Sequence, residues 1–282
     1  MKGIVAKFFE LVKFEHTVFA LPFAYLGMIL ANRAWPGFAV FFWVTAAMAG
    51  ARTSGMTLNR IIDLGIDKLN PRTQGRPLVT KELNLVSAWV LVAVSLTVFF
   101  ISCYELGPLC LELSPIALVF LVGYHYVKRF SFLCHFTLGA VLGIAPIGGW
   151  IAASGRGALQ PVFLSLAVLF WVAGFDILYS LQDVDFDRTH RLHSVPVRFG
   201  VQQALKISEY CHWATVIFLV VFGFSLSLGA LYWVGVAVTA ILLKFEHHLV
   251  GDGDLSRINT AFFTINGWIG ILLLVFTFLD LF

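Results

Sequence analysis

Stretches of close to 20 mainly apolar residues recur along this chain, and they limit its fold more than any other feature. Coiled as an α-helix, such a stretch is long enough to cross a bilayer hydrocarbon core of ~30 Å. Of the 282 residues, 59% are hydrophobic and only 12% are charged, about half the charged fraction of ordinary soluble domains. Nine spans are predicted, near 15–33, 36–58, 84–104, 108–127, 132–153, 161–182, 208–228, 229–246 and 260–281.

These features predict an all-α fold, a polytopic bundle of about nine transmembrane helices that forms a single domain over residues 1–282. The basic, amphipathic residues 1–16 are expected to lie on the membrane surface ahead of the first span. The four cysteines stand singly in apolar segments, which indicates packing rather than disulfides or metal binding. The composition excludes a disordered chain and a secreted disulfide scaffold.

Lysine and arginine are distributed very unevenly among the predicted loops. All of the 19 basic residues except Arg33 and Arg156 fall in or beside the N-terminal segment and the loops after spans 2, 4, 6 and 8. The positive-inside rule therefore predicts a cytoplasmic N-terminus, in a bacterial inner (plasma) membrane. The two longest loops, about 59–83 and 183–207, fall on the same side and hold most of the polar residues. The functional site is predicted at the cytoplasmic mouth of the bundle.

Acidic residues cluster where spans 2 and 6 end. Asn59, Asp63 and Asp67 are four residues apart, so on a helix they share one face with a drift of ~40° per step. In the second cluster, Asp176, Asp183 and Asp187 are spaced to share a face. Asp185 points roughly the opposite way and is predicted to be a surface residue.

Carboxylates that share a helical face repel one another and are costly near a membrane unless cations compensate them. Mg²⁺ is the expected cation, because it binds through a few carboxylates together with substrate phosphates. No cysteine or histidine cluster accompanies the acids, which argues against zinc or iron. Nearby basic residues suit a multiply charged phosphate group. Together with the apolar spans, these residues indicate a diphosphate carried on a long hydrocarbon tail.

The motifs resemble those of the UbiA family of intramembrane aromatic prenyltransferases, and the resemblance covers almost the whole chain. The family's NDxxDxxxD and RTxxRPL motifs correspond to Asn59-Arg60-x-x-Asp63-x-x-x-Asp67 and Arg72-Thr-Gln-Gly-Arg76-Pro77-Leu78. Its DxxYxxxDxxxD motif corresponds to Asp176, Tyr179, Asp183 and Asp187. Two positions depart from the pattern: Arg60 stands where the family usually has Asp, and His193 stands where the 4-hydroxybenzoate enzymes commonly have Lys.

The resemblance implies Mg²⁺-dependent transfer of a polyprenyl group from polyprenyl diphosphate to a ring carbon of 4-hydroxybenzoate, in quinone biosynthesis. The expected catalytic and metal-binding residues are Asp63, Asp67, Asp183 and Asp187. The expected diphosphate-binding residues are Asn59, Arg52, Arg72, Lys128, Arg129 and Arg198. Asp176, Tyr179 and His193 are expected to contact substrate. The expected partners are the prenyl diphosphate, a small aromatic acid and the lipid bilayer, with no nucleic acid.

Three alternatives compete with this interpretation. The His193 departure favours a bicyclic acceptor, 1,4-dihydroxy-6-naphthoate, in a menaquinone route. A phosphatidyl-alcohol transferase would also use membrane aspartates and a divalent metal, but its DGxxAR stretch is missing from the sequence. A transporter is the remote alternative, since it predicts ionisable residues near the bilayer midplane and broken helices, whereas the charges here cluster at one side.

Overall fold

The computed structural model describes residues 11, 17–250, 258 and 264–282, and within these residues it contains helices and no strands. Each of the nine predicted spans overlaps one long helix. These helices are α1 (Thr17–Leu30), α2 (Phe38–Ile62), α4 (Leu85–Glu105), α5 (Pro108–Val127), α6 (Cys134–Ser154), α7 (Gln160–Ser180), α10 (Val201–Ser225), α11 (Ala230–Leu249) and α12 (Asn266–Leu281). Three short helices, α3 (Leu64–Asp67), α8 (Val184–Thr189) and α9 (Val195–Phe199), lie in the connections. The predicted surface segment at the N-terminus falls almost entirely outside the described residues.

Six of the described helices, α4, α5, α6, α7, α10 and α11, are long and apolar enough to cross a membrane. Two more, α1 and α12, are apolar but shorter. Large apolar side chains remain exposed on the outside of the bundle, Phe38 and Phe224 among them, as expected for a surface that meets lipid rather than water. The prediction of an all-α membrane bundle is confirmed, whereas the count of about nine spans is not.

Glycines let α6 approach its neighbours more closely than any side chain would permit. A Cβ on Gly149 would lie 2.0 Å from the carbonyl oxygen of Ala24 on α1, and a Cβ on Gly27 would lie 2.0 Å from that of Pro146. On the other side of α6, a Cβ on Gly139 would lie 2.3 Å from the carbonyl oxygen of Leu169 on α7. Small residues are the usual means by which membrane helices pack backbone to backbone.

Helix α7 is held at the centre of the bundle by the fully buried Trp171. Its ring packs against Phe23 of α1 with the centroids 5.1 Å apart. The indole nitrogen donates a 2.7 Å hydrogen bond to Asn266 of α12, whose amide donates at 2.8 Å to Glu246 of α11. These bonds join three helices where no water competes for them, and they fix the helix that carries Asp176 and Tyr179.

The second acidic segment is not one continuous helix. Helix α7 ends at Ser180, a 3₁₀ turn covers Leu181–Asp183, and α8 begins at Val184. The side chains of Ser180 and Gln182 bond to the carbonyl oxygens of Ile177 and Tyr179, at 2.8 and 3.1 Å. Side chains that bond their own helix backbone compete with its regular ladder and bend it. Asp176 therefore lies on α7, whereas Asp183 and Asp187 follow on separate elements.

We predict that Gly149→Ala destabilises the protein, because the new methyl group must displace the backbone of α1. The matched control is Gly148→Ala, where a Cβ meets nothing within 4 Å and alanine favours the helix by up to about 1 kcal/mol. Thermal unfolding in detergent should show a lower Tm for Gly149→Ala and an unchanged or higher Tm for Gly148→Ala. Equal Tm values for the two variants would contradict this account of the α1–α6 contact.

Candidate active site

Asp63 is the most deeply buried carboxylate of the predicted site, with 1% of the residue exposed. Its Oδ2 accepts hydrogen bonds from Lys128 Nζ at 2.6 Å and from Asn59 Nδ2 at 3.0 Å. Its Oδ1 lies 3.5 Å from Arg129 Nη2 and receives no hydrogen bond. A buried carboxylate oxygen without a donor is costly, so this atom favours the approach of a cation.

Asp67, on the short helix α3, is buried against the loop that follows it. Arg76 Nη1 lies 2.5 Å from Asp67 Oδ2, and Thr73 Oγ1 donates a 2.9 Å bond to the Asp67 carbonyl oxygen. The loop thus folds back onto the end of α2 and brings Arg76 to the first acidic cluster.

Asp183 joins the first acidic cluster to the second. Arg72 donates from Nε to Oδ1 at 3.0 Å and from Nη2 to Oδ2, so its guanidinium forms a bidentate contact with the Asp183 carboxylate. Asn70 donates to the same Oδ1 at 3.0 Å, and Arg72 Nη1 donates to the Tyr179 hydroxyl at 3.0 Å. Partial burial lowers the pKa of Arg72, but the hydrogen bond and the charge of Asp183 outweigh it and raise that pKa. The loop after the first motif is thereby attached to the second motif.

The two remaining acids of the second motif face different surroundings. Asp187 is half-buried on α8 and lies within electrostatic range of Asp183, Lys128 and Arg72. Asp185, two residues earlier, is exposed, as the helical spacing predicts.

Two of the predicted diphosphate-binding residues, Arg52 and Arg198, and the predicted substrate contact His193 lie apart from these pairs. Arg52 is half-buried on α2 and its Nε has no hydrogen-bond partner. The side chain of His193 is exposed, while its backbone N–H donates to the Lys128 carbonyl oxygen at 2.7 Å. Arg198 is stacked over the rings of Phe132 and Phe199, at 5.1 and 5.7 Å. Within the described residues, Arg198 forms no salt bridge with the carboxylates.

Asn70 and His135 are two residues of the site that sequence reasoning missed. Asn70 is buried and bonds Asp183, a partner 113 positions away that local spacing cannot indicate. His135 is buried at the start of α6 and bonds Asp176 at 2.7 Å. A lone histidine in an apolar run is typically a packed core residue, so no sequence pattern distinguished it.

An apolar cavity of about 210 Å³ begins beside this polar end, between α1, α2, α4, α5 and α6. Arg52 and Tyr124 line it near the carboxylates. Further along, its wall is almost entirely apolar, and it reaches Leu106 and Cys110 where α4 and α5 meet. The polar cluster and the cavity together suit a molecule with an anionic head and a long hydrocarbon tail.

The oxygen ligands of the site suit a metal ion that is shared with a substrate phosphate. Across the described residues, no three His, Cys, Asp or Glu side chains converge into a site made by protein alone. The acids are instead paired with Lys128, Arg76 and Arg72. Carboxylate oxygens at one end of a cavity, one of them without a donor, fit Mg²⁺, which usually binds through one or two carboxylates plus substrate phosphates and water.

Comparison with known proteins gives consistent matches. The sequence model of the UbiA prenyltransferase family matches residues 20–268. The 4-hydroxybenzoate octaprenyltransferase of Methylobacillus flagellatus is 30% identical over 250 residues, which cover 88% of this chain and 83% of that protein. The apo structure of a UbiA homolog from Aeropyrum pernix K1 is 38% identical, with a TM-score of 0.87 over 95% of this chain and 98% of that one. A UbiA homolog from Archaeoglobus fulgidus bound to DMAPP and Mg²⁺ shares the fold, with a TM-score of 0.76, 20% identity and coverage of 98% and 99%.

The helical bundle, its charged end and its apolar cavity define an intramembrane prenyltransferase. The chain belongs to the UbiA prenyltransferase family, as the sequence motifs predict.

We predict that Asp185→Asn retains most of the wild-type activity, whereas Asp187→Asn loses most of it. Asp185 is exposed and Asp187 lies among the charges of the site, so only the second substitution changes the electrostatics there. Prenyl transfer should be measured in membranes at matched expression. Equal losses for the two variants would show that α8 presents a different face to the site.

Proposed function

We propose that this aromatic prenyltransferase transfers a polyprenyl group from polyprenyl diphosphate to a ring carbon of 4-hydroxybenzoate, in quinone biosynthesis. The observation that carries the proposal is the arrangement of the charged cluster around Asp63 and Asp183 directly beside an apolar cavity. One end of that arrangement suits a diphosphate and the other suits its hydrocarbon tail.

We propose that the donor's diphosphate binds the basic side chains that pair with the carboxylates in this structure. Arg72, Lys128 and Arg129 would donate hydrogen bonds to phosphate oxygens, and Arg52 has an unused Nε–H at the mouth of the cavity. Asp63, Asp67, Asp183 and Asp187 would hold Mg²⁺, with Asn59 next to Asp63. When bound, Mg²⁺ neutralises the negative charge that develops on the leaving diphosphate.

The tail is proposed to lie in the apolar cavity. Its walls exclude water from the carbon that becomes electron-deficient as the diphosphate departs. Aromatic faces such as those of Tyr124 and Phe99 line this space, and aromatic faces attract positive charge. The acceptor ring attacks that carbon, a C–C bond replaces the C–O bond to the diphosphate, and the ring then loses a proton.

Two observations bear on which ring is prenylated. The names of the curated relatives favour 4-hydroxybenzoate. His193 favours the alternative acceptor, 1,4-dihydroxy-6-naphthoate, because an imidazole is shorter than a lysine side chain and leaves more room, and it lacks the lysine ammonium that would hold a carboxylate. The basic residues at the charged end of the bundle favour a cytoplasmic position for that end. The chain is proposed to span a bacterial inner membrane and to form one domain.

We predict that Asp63→Asn and Asp183→Asn each abolish turnover while the protein is still expressed and folded. Both substitutions remove a negative charge that the proposed Mg²⁺ requires, and Asp185→Asn is the matched control. EDTA should inactivate the wild-type enzyme, and added Mg²⁺ should restore it. Full activity in metal-free buffer would end the metal hypothesis.

The acceptor is tested by offering 4-hydroxybenzoate and 1,4-dihydroxy-6-naphthoate separately to membranes with a long-chain prenyl diphosphate. Wild type should prenylate 4-hydroxybenzoate, and His193→Lys should improve that activity because a charged ammonium attracts the benzoate carboxylate. If wild type prenylates only the naphthoate, and His193→Lys does not rescue the benzoate, the bicyclic acceptor is the correct one.

A further inference from the structure

His135 connects two parts of the site that are distant in sequence. Its Nε2 accepts a 3.3 Å hydrogen bond from the backbone N–H of Val195, so the ring proton is on Nδ1. That Nδ1–H points to Asp176 Oδ2, 2.7 Å away. The imidazole side chain is only 3% exposed. The two ring nitrogens therefore join α7, through Asp176, to the start of α9, through Val195.

The segment that bonds to His135 is fastened by three backbone contacts, two at His193 and one at Val195. His193 N–H donates to the Lys128 carbonyl oxygen at 2.7 Å, and Cys134 Sγ contacts the His193 carbonyl oxygen at 3.4 Å. Val195 N–H then donates to His135. Every one of these partners lies in or beside the connection between α5 and α6. The segment His193–Val195 is thus pinned along the edge of the site.

Asp176 differs from the other acids of the site in its partner and in its depth. Asp63, Asp67 and Asp183 each have a lysine or arginine partner, whereas the described residues pair Asp176 with His135 alone. Asp176 lies on α7 about one turn before the helix ends at Ser180, whereas Asp183 and Asp187 follow that end, so Asp176 lies further into the bundle. Its side chain is 25% exposed, and it lies within electrostatic range of Tyr124, which lines the cavity.

We propose that His135 is a positioning residue for the aromatic acceptor, an inference that rests on the proposed function. It pins the His193–Val195 segment to the start of α6, and it aims the Asp176 carboxylate at the cavity mouth, where that carboxylate accepts a hydrogen bond from the acceptor's hydroxyl. The donor's diphosphate binds nearer the membrane surface, among the lysine- and arginine-paired acids, and does not depend on His135.

Two conservative substitutions separate the two bonds of His135. The amide nitrogen of asparagine falls near the position of Nδ1, so His135→Asn retains the bond to Asp176 and loses the one to Val195. The amide of glutamine reaches the position of Nε2, so His135→Gln retains the bond to Val195 and loses the one to Asp176. His135→Phe removes both bonds, and His248→Phe, at an exposed histidine of α11, is the control.

The experiment measures two quantities on purified enzyme. Steady-state kinetics give separate KM values for 4-hydroxybenzoate and for a prenyl diphosphate, and hydrogen–deuterium exchange follows the amides of residues 193–199. His135→Phe should raise the acceptor KM about tenfold or more, leave the donor KM within about twofold, and speed the exchange. His135→Asn should speed exchange with a near-normal acceptor KM, while His135→Gln should raise that KM with near-normal exchange.

Asp176→Asn supplies the coupling test. It should raise the acceptor KM as His135→Phe does, and the double variant should be no worse than either single one, because residues that act through one contact are not additive. Additive losses, or parallel changes in both KM values for every variant, would overturn the proposal.

The exchange measurement also separates this proposal from the proposed function. If wild type prenylates neither aromatic acid, the proposed function fails, and exchange alone then decides the role of His135. Unchanged exchange at residues 193–199 in His135→Phe would overturn the proposal, whereas faster exchange in His135→Phe and His135→Asn, but not in His135→Gln, would support it.

Discussion

The charged end of the structure depends on one electrostatic requirement, that the ionised carboxylates gathered there are compensated by positive partners. Asp63, Asp67 and Asp183 meet it with Lys128, Arg76 and Arg72. The lysine comes from the end of α5, and the two arginines come from the loop after α3. Because these partners come from different segments, the ion pairs hold the ends of α2, α5 and α7 together. The same pairs also place basic side chains where an incoming diphosphate needs them.

Such a site requires a rigid frame, and the apolar helices provide it. Glycine contacts bring α1 and α7 against α6 at backbone distance, and Trp171 ties α7 to α12 by a hydrogen bond inside the bundle. The other side of α6 is looser and leaves the cavity that Tyr124 and Phe99 line. Close packing on one side and open space on the other let the bundle hold its charged end in place while it accommodates a long apolar chain.

The sequence predicted the helical class, the helix positions and the exposed position of Asp185, because each follows from local periodicity. Four-residue spacing likewise predicted that Asn59 and Asp63 share a face, and their side chains are hydrogen-bonded. Local periodicity carries no information on partners from distant segments, so the roles of Asn70 and His135 were missed. It also failed to predict the break after Ser180, where side chains bond the helix backbone. The stacking of Arg198 on Phe132 depends on tertiary packing alone.

The central claim is that the basic partners of the acids, together with Mg²⁺, bind the donor's diphosphate. Calorimetric titration of the purified enzyme with a non-reactive prenyl thiodiphosphate tests it most directly. Binding should require Mg²⁺, and Arg72→Gln should weaken it by about tenfold or more, since a bidentate charged contact is lost. Binding of equal strength without Mg²⁺ and in Arg72→Gln would contradict the account.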